Sequence, residues 1–146
     1  MIRRSIIVVS LLLAAACMLW AAKDSVQEME AKADAAPLGD RPPLYIDAAE
    51  QQLSNAIESY KAGKPDAGHA AVDDILRLTG KARDTAMQSG KRLKNTEISM
   101  RKIADRLRDL QRTLNYDDQP PVKAAADRLE TMRNDLLTYM FSKGKQ

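Results

Sequence analysis

The most regular pattern of apolar positions in the chain runs from Val72 to Leu114. Steps of three and four from Val72 pass through Ile75, Thr79, Ala82, Ala86, Ser89, Leu93, Thr96, Met100, Ile103, Leu107, Leu110 and Leu114. An unbroken three-four stripe of this kind predicts an amphipathic helix with one narrow buried face. Two shorter stripes flank it. Ile46, Ala49, Leu53, Ala56 and Tyr60, widened by Ile57, predict a helix over about 44–62. Val122, Ala125, Leu129, Met132, Leu136 and Tyr139 predict another over about 120–142. The fold class is therefore all-α.

The connections set the neighbours. Gly63-Lys64-Pro65 ends the first helix and starts the second, and so short a link makes antiparallel partners. The run from Asn115 to Pro121 marks a second turn. Within the long stripe, Gly80 and Gly90 each cost about 1 kcal/mol relative to Ala inside a helix. A true break usually resets the apolar phase, and the phase continues. The favoured expectation is one long central helix over about 65–115, roughly 75 Å at 1.5 Å per residue. The flanking helices would pack on its two halves, meeting at a waist of small residues from Thr79 to Ser89. The alternative is a compact four-helix bundle with a break near Gly90. A straight central helix leaves each half two helices thick, which points to a homodimer to complete the layer.

Ala56, Ile57, Tyr60, Gly63, Ala67, Ala71 and Ile75 resemble one helical hairpin of a tetratricopeptide repeat, with small residues where the helices touch. The resemblance covers about residues 45–79. No second copy follows at the required period, so it implies local packing and transfers no binding residue. The whole chain also resembles exported helical proteins of bacteria, which implies no activity.

The start of the chain has a different character. Arg3 and Arg4 precede an uncharged run from Ile6 to Ala22. A basic start and a short apolar stretch ending in small residues make an export signal. Residues 1–22 are thus a signal or anchor segment, 23–43 a flexible linker, and 44–146 the helical domain. Ala14-Ala15-Ala16 before Cys17 resembles a bacterial lipoprotein signal, making Cys17 the candidate lipidation site. Cleavage by the ordinary peptidase after Ala16 or Ala21, or retention as a membrane anchor, are the alternatives. All place the protein across the bacterial inner membrane, periplasmic or associated with the envelope. The linker holds Leu38, Gly39, Pro42 and Pro43 as helix breakers, although 26–36 has weak helical character with an alanine face.

Charge sharpens this picture. The chain carries 23 basic and 20 acidic residues. The front half is acidic and the middle basic, so the two can complement each other on folding back. Lys91, Arg92, Lys94, Arg101 and Arg108 are the candidate contacts for an anionic partner, with Lys102, Arg106 and Arg112 in the same stretch. The competing expectation is a solvated face stitched by Glu97–Arg101, Arg101–Asp105 and Asp109–Arg112 pairs. No aromatic residue interleaves with these charges, so nucleic acid is a poor partner. An envelope protein, or an anionic lipid or wall polymer, fits an exported chain better. Tyr139, Met140 and Phe141 either cap the core near Leu93 or form a docking edge.

Chemistry has little to work with. One cysteine excludes an intrachain disulfide. His69, the single histidine, has Asp66 and Asp73 on its helix, but a lone histidine beside solvated carboxylates is ordinarily a surface residue. No catalytic residue, metal or cofactor is expected, and the chain is read as a non-enzymatic contact protein.

Overall fold

The computed structural model describes residues 25–145, and the leader with Cys17 lies outside them. Five helices account for most of the described chain. We number them α1 (25–35), α2 (Arg41–Lys61), α3 (Pro65–Ser89), α4 (Leu93–Thr113) and α5 (Gln119–Lys143). No strand occurs among the described residues.

The helix starts follow local chemistry. Pro42 and Pro43 open α2, Pro65 opens α3, and Pro120 and Pro121 open α5. A first-turn proline gives up no hydrogen bond, because those N–H groups have no intrahelical acceptor. The same connection occurs twice. A three-residue 3-10 turn, Leu38–Asp40, precedes α2, and another, Tyr116–Asp118, precedes α5. In the first, Arg41 Nε donates to the Ala36 carbonyl at 2.8 Å; in the second, Gln119 Nε2 donates to the Leu114 carbonyl at 3.0 Å. Both span five residues. The segment expected to be a flexible linker is therefore half of a repeated helix–turn–helix joint. Val26 (3 % exposed) and Ala33 (0 %) bury the inner face of α1 in the core.

The expected continuous helix over 65–115 is corrected by the geometry at Gly90. This residue has φ 68°, in the left-handed region that glycine enters without strain, and its N–H closes α3 on the Ala86 carbonyl at 2.9 Å. Arg92 is also left-handed, with φ 61°, and α4 starts at Leu93. The chain reverses there, because Asp118, just past α4, reaches His69 near the start of α3. Gly80, by contrast, lies inside α3. The compact-bundle alternative is the one observed. With it goes the geometric reason for a second copy, since no half of the structure is only two helices thick.

Two antiparallel hairpins, α2–α3 and α4–α5, form the bundle. The hairpins stack with α5 on α3 and α2 on α4. Links of α3 to α5 climb in parallel: Arg83 to Asp135 at 3.2 Å, then the Tyr139 hydroxyl to the Met87 carbonyl at 2.8 Å. This crossing falls on the small-residue waist, where Ala82 and Ala86 are fully buried. Leu53, Ile75, Leu78, Met100, Ile103, Leu107, Leu129 and Leu136 fill the middle. At 1.5–3 kcal/mol for each fully buried side chain of this size, this aliphatic layer is the main source of stability.

Candidate functional site

Helix α4 and the turn before it hold the densest run of unpaired cations among the described residues. Lys91, Arg92, Lys94, Arg101, Lys102 and Arg106 are all exposed, and none joins an ion pair among the described residues. The amino-terminal half of α4 and the turn before it thus present Lys91, Arg92, Lys94, Arg101 and Lys102. The carboxyl-terminal half is different. Arg108 is half-buried and paired to Asp105 at 3.1 Å and to Glu130 of α5 at 3.6 Å. Arg112 pairs with Asp109 at 2.9 Å. Arg108, expected to contact an anionic partner, is thus occupied within the fold.

The sequence spacing suggested that Glu97 would quench Arg101, but Glu97 turns inward. It is 9 % exposed and accepts from Arg133 Nε of α5 at 2.5 Å. That contact holds the Arg133 guanidinium even more firmly protonated, with Glu130 helping. With this one carboxylate turned inward, every exposed charged side chain within residues 91–102 is basic. Two local features temper the patch. Arg92 shares a small polar groove with Asp47 and Glu50 of α2, and the stem of Lys91 lies against Gly39.

A second charge cluster fixes α1. Glu30 accepts from Arg77 and, at 2.7 Å, from Lys81. Asp34 accepts from the Tyr45 hydroxyl and from Lys81 at 3.2 Å. The Arg77 hydrogen bond holds the Glu30 carboxyl below its ordinary range, and the Tyr45 hydrogen bond does the same for Asp34. Burial, then the bond to Asp34, raises Tyr45. Every member has an opposite charge or a donor, so this cluster is a strap that binds α1 to α2 and α3. Sequence periodicity missed it because it depends on residues 47 and 51 positions apart.

His69 faces Tyr60 edge-on, with ring centres 5.6 Å apart, and its Nε2 lies 3.9 Å from Asp118. That is too long for a hydrogen bond. The Tyr60 hydroxyl and His69 Nε2 are buried and lack hydrogen-bond partners among the described residues. Burial first, then the nearby Asp118 and Asp73 carboxylates, push Tyr60 up to about 12. The carboxylate nearest His69 thus comes from the α4–α5 joint, not from Asp66 or Asp73 on its own helix. No group of three potential metal ligands occurs among the described residues.

Of Tyr139, Met140 and Phe141, read as a cap on the core or a docking edge, the first two are folded in. Tyr139 is half-buried, its hydroxyl bonded to Met87, with Lys143 over its ring at 5.1 Å. Met140 packs on the core. Phe141 remains outside, 71 % exposed. Among the described residues, no helix is long and apolar enough to cross a membrane. No protein-family model matches the chain, and neither a curated protein nor a solved structure gives a match.

Proposed function

We propose that the chain is an exported, non-enzymatic helical module that works by contact at the cell envelope, with the amino-terminal half of α4 as its contact face. The observation that carries this reading is the set of five exposed cations at Lys91, Arg92, Lys94, Arg101 and Lys102, left without ion-pair partners among the described residues while Glu97 is drawn inward to Arg133. A fold that needed these charges only for solubility has no reason to gather five of them within residues 91–102. The partner that matches is an anionic surface, either lipid headgroups or an acidic wall polymer. Each basic side chain near such a surface contributes about 1 kcal/mol, screened over a Debye length of about 10 Å at 0.1 M salt.

Export rests on Arg3, Arg4 and the uncharged run that follows them. The non-enzymatic character is supported by how the charges between helices are used. Glu97 with Arg133, and Glu30 with Arg77 and Lys81, are consumed in links between helices. Co-sedimentation with vesicles tests the reading. Vesicles rich in an anionic phospholipid should retain the protein at low salt and release it at high salt, and zwitterionic vesicles should not retain it. Equal retention by both, or retention indifferent to salt, contradicts the proposal.

A further inference from the structure

A groove of about 440 Å³ opens where the carboxyl-terminal ends of α2 and α4 lie side by side. Its volume falls in the range of small-molecule sites, roughly 300–1,000 Å³. Ile57, Tyr60, Leu110 and Leu114 form an apolar floor, and Lys61 and Arg106 stand among the residues around it. Helix α2 stops at Lys61, the last of its residues to line the groove.

The charges are asymmetric. Neither Lys61 nor Arg106 has an ion-pair partner among the described residues, and both are exposed. The one carboxylate that lines the groove, Asp109, is already held by Arg112 at 2.9 Å, while Asp73 and Asp118 lie near Tyr60 and are not among the lining residues. Tyr60, pushed up to about 12, stays an uncharged phenol at any physiological pH and does not repel an anion. An apolar floor with two unspent cations matches one kind of molecule by both shape and charge. We propose that this groove binds a single-chain anionic amphiphile, a fatty carboxylate, with its tail along Ile57, Leu110 and Leu114 and its carboxylate between Lys61 and Arg106. The groove does not use Lys91, Lys94, Arg101 or Lys102, so the proposal stands or falls independently of the contact face on α4.

An amide-resolved NMR titration of the whole chain with decanoate and dodecanoate, each below its micelle concentration, tests it. Saturable shifts centred on Ile57, Tyr60, Leu110 and Leu114 are expected. Two added methylenes should tighten binding about tenfold while the groove is still filling. The exposed-site double variant Lys61→Gln/Arg106→Gln should weaken dodecanoate about tenfold or more with an unchanged amide spectrum elsewhere, and should leave a neutral twelve-carbon maltoside unaffected. Three results overturn the proposal: no saturation, shifts centred on α4 residues 91–102, or equal affinity for the neutral and anionic amphiphiles. Retention of vesicles in the same sample separates failure of the groove from failure of the α4 face.

Discussion

Gly80 and Gly90 occupy similar positions in the apolar stripe, yet alanine should act oppositely at the two. At Gly80 the backbone is helical, and an added Cβ would find only Met132 Sδ, at 3.8 Å, an ordinary contact. Gly80→Ala should therefore recover the helix-propensity difference, about 1 kcal/mol of added stability. At Gly90 the Cβ would meet the flexible end of Lys143 at 3.5 Å, so space is not the obstacle. The backbone is. With φ at 68°, a non-glycine residue carries a penalty of about 1–2 kcal/mol. Gly90→Ala should thus destabilise by at least about 1 kcal/mol, and the two variants should differ by about 2 kcal/mol or more. Urea denaturation followed by far-ultraviolet circular dichroism resolves such a gap if the m-values stay equal. Gly90→Asn should cost less than Gly90→Ala, because asparagine tolerates the left-handed region. If both alanine variants stabilise equally, the chain is helical through residue 90 and the reversal between α3 and α4 is wrong.

Two further outcomes follow from the ion pairs. Glu30 and Asp34 have lowered folded-state values, so their contribution is present above the ordinary values of 4.5 and 3.8 and is lost as pH falls through the lowered folded ones. Hydrogen exchange in α1 should accelerate in that acidic window while α4 and α5 stay protected, and uniform behaviour across the helices would count against the strap. Arg133→Met should cost about 2–3 kcal/mol by stranding the nearly buried Glu97 carboxylate, whereas Glu97→Met/Arg133→Met should recover most of it in thermal denaturation. A double variant no better than the single would show that Glu97 does not depend on Arg133.

The stripe from Val72 to Leu114 was legible because burial follows it closely, from Ile75 at 0 % exposed to Leu110 at 7 %. What the stripe did not carry was direction. The turn at 90–92 replaces one four-residue step between Ser89 and Leu93, so the buried face keeps its phase while the helix axis reverses. Periodicity reports which residues face a core and says nothing about the sense of the chain. The local difference between the two glycines is the Ser89-Gly90 dipeptide, a turn former, where Gly80 follows Thr79.

Residues 23–43 hide their helices for a related reason. Pro42 and Pro43 read as breakers, yet Asp40-Arg41-Pro42-Pro43 matches Asp118-Gln119-Pro120-Pro121, where the same prolines read as a start. The match places the start of α2 at Arg41, with the joint before it. Helix α1 was harder, because an alanine-rich face gives a weak signal and its strap to Arg77 and Lys81 lies far away in sequence. The candidate contact face was legible as a run of cations. Its division into a free half and an engaged half was not, because Glu97 and Arg108 find partners on α5.

Charge location, as distinct from net charge, is the central claim about function. Lys94, Arg101 and Lys102 on the free half of α4 are changed to glutamine in one protein, and the exposed Lys32, Lys64 and Arg128 in another, so both lose the same charge. Binding to anionic vesicles at low salt is then compared. At about 1 kcal/mol per cation, the α4 variant should bind about a hundredfold more weakly, and the matched variant only slightly more weakly than the parent. Equal losses in the two proteins would contradict a dedicated face on α4.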